Sequence, residues 1–136
     1  MDASIVVAAL VDDEDVVAAD RLIERVAEVG AVAPSLFWHE LRAVLLLLER
    51  KKRLAAGTAE TLVRRLRALD VIVSDEADDA SVLRFARAHD LTAYDAAYAA
   101  LAVKRSLPLA TLDKALLAAG QAGAFRLWSP SAAPPP

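Results

Sequence analysis

The sequence predicts an α/β fold, a three-layer α/β/α sandwich around a central parallel sheet of four or five strands. Short apolar and β-branched runs, Val71-Ile72-Val73-Ser74 above all, are separated by longer segments with helical apolar spacing. Strands separated by helices pair in parallel through crossovers. With 136 residues, 57% of them hydrophobic, the chain has room for one domain with a real core.

Ala3 to Leu10 reads either as a strand, from its Ile-Val-Val content, or as a short helix following a strand that ends at Asp2. Asp13 to Glu28 is predicted helical, because acids crowd its first turn and Val16, Val17, Leu22, Ile23 and Val26 form an apolar stripe. Gly30 stops it. Ala31 to Ala33 is a short strand candidate, and Pro34-Ser35 opens a helix running from Leu36 to Arg53 with a basic last turn. A helix over Thr58 to Leu69 follows Gly57, then the strand Val71 to Ser74. Two helices come next, Ala77 to His89 and one starting at Thr92, whose hydroxyl is placed to cap a turn containing Asp95. Leu107 to Leu112 is a predicted strand, Lys114 to Ala122 a helix and Phe125 to Trp128 a last strand. The domain therefore spans residues 1–128, and the Pro/Ala-rich residues 129–136 form a flexible tail.

Composition excludes several function classes. Net charge is -3 with a pI of about 5.3, so any nucleic-acid contact must be local. The absence of cysteine removes disulfides, thiolate metal sites and cysteine nucleophiles, and fits a reducing cytoplasm. The apolar runs Ile5 to Leu10 and Val44 to Leu48 are far shorter than the ~20 residues of a membrane helix, and no basic leader precedes the first. A soluble cytoplasmic protein is expected, with no membrane partner.

The topology itself places carboxylates. In a parallel sheet, strand C-termini and the N-termini of the returning helices share one edge. Asp113 directly follows the predicted strand Leu107 to Leu112, Asp95 lies in a helix first turn, and Glu40 lies in the second turn after Ala31 to Ala33. If Asp2 ends a first strand, it joins them. Such a cluster of like charges repels unless a cation neutralises it. Glu40 adds an independent hint: its helical neighbours Leu36, Phe37, Ala43 and Val44 are apolar, so it needs a metal or a distant partner. Ligation by oxygen alone points to Mg²⁺, or Mn²⁺, rather than Zn²⁺.

Asp2-Ala3-Ser4 before an apolar run, Pro34 followed by Glu40, the stretch Leu91-Thr92-Ala93-Tyr94-Asp95-Ala96-Ala97-Tyr98-Ala99-Ala100-Leu101-Ala102 and the stretch Leu107-Pro108-Leu109-Ala110-Thr111-Leu112-Asp113 resemble PIN-domain ribonucleases. The likeness is specifically to VapC-type toxins and runs from Asp2 to Trp128. It implies a metal-dependent endoribonuclease with Asp2, Glu40, Asp95 and Asp113 as its acidic residues and Thr111 beside the site. It also implies a homodimer held inactive by a VapB-type antitoxin. In that family several apolar residues precede the first Asp as the central strand; here Met1 alone does, which implies a late recorded start or a truncated strand. In the implied site Asp2, Asp95 and Asp113 are direct or water-mediated metal ligands, and Glu40 is a second-site ligand or orients the attacking water.

Eight of the sixteen basic residues lie between Arg42 and Arg67: Arg42, Arg50, Lys51, Lys52, Arg53, Arg64, Arg65 and Arg67. The first five are candidate RNA contacts, against the plainer reading that basic residues favour helix C-termini. Taken singly, Asp95 and Asp113 also read as helix-capping residues. The acidic runs Asp12 to Asp15 and Asp75 to Asp79 read as helix-start charge, and His39 and His89 are isolated from any metal-binding frame. Leu45 to Leu48 makes its helix apolar on nearly all sides, which predicts cover by a partner, with deep burial as the competing account. Two other functions remain in play: a noncatalytic PIN-like RNA-binding or structural module, and a Mg²⁺-dependent hydrolase of other phosphoesters.

Overall fold

The computed structural model describes residues 1–11, 16–75 and 77–130. The elements in order are α1 (Ala3–Leu10), α2 (Val16–Val29), β1 (Ala31–Ala33), α3 (Leu36–Arg50), α4 (Thr58–Arg67), β2 (Val71–Val73), α5 (Asp79–His89), α6 (Ala93–Lys104) and α7 (Lys114–Gln121). The acidic start predicted for the second helix and residues 131–136 of the tail lie outside the described residues.

The ambiguous start resolves as a helix. Asp2 is extended, at φ -103° and ψ 177°, and its carboxylate accepts from the backbone N–H groups of Ser4 and Ile5. An acceptor there satisfies donors that a new helix leaves open. Ala3, Ile5 and Val6 are then buried on one side of α1, which packs against α2 and α3. Gly30 ends α2 at φ +74°, where a side chain is strained and a Cβ would stand 3.0 Å from the Asp70 carbonyl oxygen. The turn into β1 depends on that close approach.

Along α3, Phe37, Leu41, Leu45 and Leu48 recur at helical spacing on the buried face. Each contributes about 1.5–3 kcal/mol by leaving water. Leu46 and Leu47 are 44% and 45% exposed, so deep burial does not account for the whole leucine run. The helix stops at Arg50 rather than Arg53: Lys52 adopts φ 57°, and the Arg53 N–H turns back to Leu48 O at 2.9 Å. Glu49 reaches across to accept from Ala59 N–H at 2.8 Å, supplying the side-chain cap that Gly57 cannot give α4.

β1 and β2 pair in parallel, Ala31 with Val71 through Ala33 with Val73, and α3 and α4 form the crossover. The α/β class and the parallel pairing therefore hold. The sheet of four or five strands does not, since among the described residues only two strands are found. The predicted strands Leu107 to Leu112 and Phe125 to Trp128 shrink to one parallel bridge, Leu109 with Leu127. Met1 and Asp2 occupy the lane between β1 and Leu109: the Met1 amino group donates to Val32 O at 3.2 Å and Asp2 N–H to Ala110 O at 3.0 Å. Two residues make one bond to each side and cannot sustain a ladder, while Pro108 has no N–H to offer.

Behind Met1 the lane is open. A cavity of about 220 Å³ is lined by Leu22 and Val26 of α2, Leu101 and Ala102 of α6, and the backbone edges around Ala31 and Leu109. Among the described residues no helix is long and apolar enough to cross a membrane.

Candidate metal centre

Asp2 anchors the site at the carboxyl end of the central lane. It is 5% exposed, and every bond its carboxylate makes is a donation to it. Oδ1 accepts from Ser4 N–H at 3.0 Å and from the Ser4 hydroxyl at 2.6 Å, and Oδ2 accepts from the Thr111 hydroxyl. Loss of water raises its carboxyl above the usual range even against the opposing pull of those bonds. Thr111, itself buried, accepts from Asp113 N–H at 3.0 Å, and the Ser4 hydroxyl accepts from Leu112 N–H at 2.8 Å. The Thr111–Asp113 loop is thus stitched to Asp2 and Ser4.

Glu40 arrives from the second turn of α3 and is half-buried. Its Oε2 accepts from the Tyr98 hydroxyl. Burial raises its carboxyl, and the neighbouring charges of Asp2 and Asp95 raise it further. Asp95 lies in the first turn of α6, where Thr92 both accepts from its N–H at 3.1 Å and donates to its Oδ2 at 2.6 Å. Tyr98, one turn along α6, has its phenol pushed up by burial first, then by Glu40, Asp2 and Asp95.

Asp2, Glu40 and Asp95 therefore share one electrostatic neighbourhood, built from three separate segments. Asp113 is linked to Asp2 through the Thr111 hydroxyl. Its Oδ1 takes both capping bonds of α7, from Ala115 and Leu116 N–H at 2.9 and 3.0 Å. Among the described residues no three acidic or histidine groups close around a single point. Ser4, Thr92 and Tyr98, each bonded to a site carboxylate, lie outside the site residues the sequence predicts. Their spacing carries the signal: Ser4 follows Asp2 by two, Thr92 precedes Asp95 by three, and Tyr98 follows it by three.

The donor set suits a hard divalent cation. It consists of carboxylates backed by hydroxyls, and among the described residues no lysine or arginine forms a salt bridge with Asp2, Glu40 or Asp95. Of the candidate RNA contacts, Arg42 is exposed on α3 with its guanidinium 3.2 Å from the His39 ring. Arg50 to Arg53 are exposed at the far end, about 15 Å along the axis from Glu40. Arg67 of α4 stacks over Trp38, 4.2 Å from its ring centre.

Asp2, Glu40 and Asp95 gather at the carboxyl edge of parallel strands and define an acidic-site α/β domain, in which the Met1 amino group is the positive charge beside Asp2. The chain belongs to the PIN domain family, whose model matches residues 1–121. PIN domains are generally metal-dependent nucleases, which supports a hydrolase at that level and typically divalent metal. The chain is similar to the crystal structure of PAE2754 from Pyrobaculum aerophilum at 30% identity and a TM-score of 0.66, over 86% of this chain and 81% of that one. No curated protein matches it.

Proposed function

We propose that this PIN domain is a VapC-type endoribonuclease that hydrolyses RNA phosphodiester bonds with Mg²⁺, Mn²⁺ serving as its substitute. One observation carries the reading: Asp2, Glu40 and Asp95, from three segments, crowd together with Asp2 and Glu40 desolvated and, among the described residues, no basic side chain paired to them. Uncompensated like charges cost stability, and a divalent ion removes that cost. Asp2, Asp95 and Asp113 would hold the ion, directly or through water, with Glu40 as a further ligand or as the group that orients the attacking water. When bound, the ion supplies water activation and charge cover for the phosphate oxygens.

The chain's own residues do the rest. Thr111 and Ser4 fix the Asp2 carboxylate from both sides, and Thr92 fixes Asp95. Arg42, Arg50, Lys51, Lys52 and Arg53 bind the RNA backbone, which makes association salt-sensitive. The exposed Leu46 and Leu47 belong to the surface that a VapB-type antitoxin or a second copy covers. This is a cytoplasmic toxin, with its domain over residues 1–128 and a flexible tail over 129–136.

A second reading rests on a different observation. Each of Asp2, Glu40 and Asp95 already accepts from a hydroxyl, and among the described residues no three acids close on a point, which favours a noncatalytic RNA-binding module. One experiment separates the two. Purified antitoxin-free protein is incubated with cellular RNA in Mg²⁺, in EDTA and as Asp95→Asn, and cut ends are mapped by sequencing. Discrete cuts lost in both controls support the nuclease. RNA bound but uncut by the folded wild type overturns it in favour of the module, and preferential hydrolysis of small phosphomonoesters would indicate the other hydrolase class.

A further inference from the structure

Tyr98 lies three residues beyond Asp95, one turn along α6, so the two side chains leave neighbouring points of the helix. Its residue is 3% exposed and belongs to the hydrophobic core, which fixes where the hydroxyl stands. Glu40 comes from another helix, α3, on a long side chain whose half-buried carboxylate is opposed by the charges of Asp2 and Asp95. Left to itself, that carboxylate lowers its energy by turning toward water. The phenol bond to Oε2 is what opposes the turn.

We propose that Tyr98 is a positioning residue: its hydroxyl holds Glu40 in place against Asp2 and Asp95 and so presets the site for a divalent cation. The role rests on the metal-dependent reading above. A phenol donates a single hydrogen bond, so it occupies Oε2 and leaves Oε1 for an ion. Groups that orient ligands in this way typically govern about 10–100-fold in metal affinity.

Mn²⁺ binding to the full chain is measured by calorimetry for wild type, Tyr98→Phe, Glu40→Gln and the double variant, with circular dichroism confirming the fold. The phenyl ring keeps the packing, so Tyr98→Phe is expected to stay folded and to lose about tenfold or more in affinity. The loss is expected to vanish when Glu40 is already Gln, because the tyrosine acts through it. Unchanged affinity in Tyr98→Phe, or an equal loss with and without Glu40, overturns the proposal. Should the phenyl variant not fold, Glu40→Asp draws the carboxylate back from an intact Tyr98 and must show the same loss; wild-type affinity there overturns it too. A wild type that takes up no Mn²⁺, or an Asp95→Asn variant that binds as well as wild type, sinks the metal reading itself.

Discussion

The buried amino terminus makes folding depend on pH in a way that can be isolated. Burial pushes the Met1 amino group down from 8.0 to about 6, only partly offset by the neighbouring Asp2 charge. Between those values the unfolded chain binds the proton more tightly than the folded one. Stability therefore rises with pH across this window; the contribution is fully present above about 8 and lost below about 6. Two pK units correspond to about 3 kcal/mol, a large share of a small domain's stability. The perturbation is acetylation of the amino group, which removes the charge and keeps one N–H for Val32 O. Urea unfolding at a series of pH values between 5.5 and 9 is compared for free and acetylated protein. The difference in unfolding free energy between them is expected to grow by about 3 kcal/mol from the alkaline to the acid end of the window. Parallel curves for the two forms would refute the argument, because every other titrating group is common to both.

Two further outcomes follow from the lane that Met1 and Asp2 occupy. Replacing Thr111 by Val removes the hydroxyl that bonds Asp2 and accepts from Asp113 N–H; it should lower stability by about 1–3 kcal/mol in denaturant titration and weaken Mn²⁺ uptake. Adding four β-branched residues ahead of Met1 is expected to extend the lane into the cavity of about 220 Å³ behind it. Each buried side chain there gains about 1.5–3 kcal/mol against about 1–2 kcal/mol of backbone ordering, so the thermal midpoint should rise and the pH slope of the free terminus disappear. A midpoint unchanged or lowered would show that the cavity does not take a strand.

Much of this molecule was legible in its sequence. The helices carry local signals: the apolar stripe of α3, Thr92 ahead of α6 and Asp113 ahead of α7 all act where the pattern put them. Asp113 caps α7 by accepting from Ala115 and Leu116 N–H, and Asp95 pairs with Thr92, which caps α6, so the plain reading of each holds alongside its place near the site. Capping is a matter of three or four residues, and a local rule suffices for it.

The sheet was less legible. Leu107 to Leu112 has strand composition, but a strand is made by partners distant in the chain, and among the described residues it forms one bridge, Leu109 with Leu127. The same distance hid the tyrosine. Spacing places Tyr98 beside Asp95, but its bond to Glu40 joins residues 58 apart and exists only once α3 and α6 pack. The sequence by itself pointed to the helices after α1 and to the candidate carboxylates, because those follow from side-chain type and short-range periodicity, while it left Ala3 to Leu10 open between strand and helix. Tertiary structure alone decided that Asp2, Glu40 and Asp95 gather, that Thr111 links Asp113 to Asp2, and that the amino terminus lies buried. Those are outcomes of packing and desolvation, which depend on every element at once.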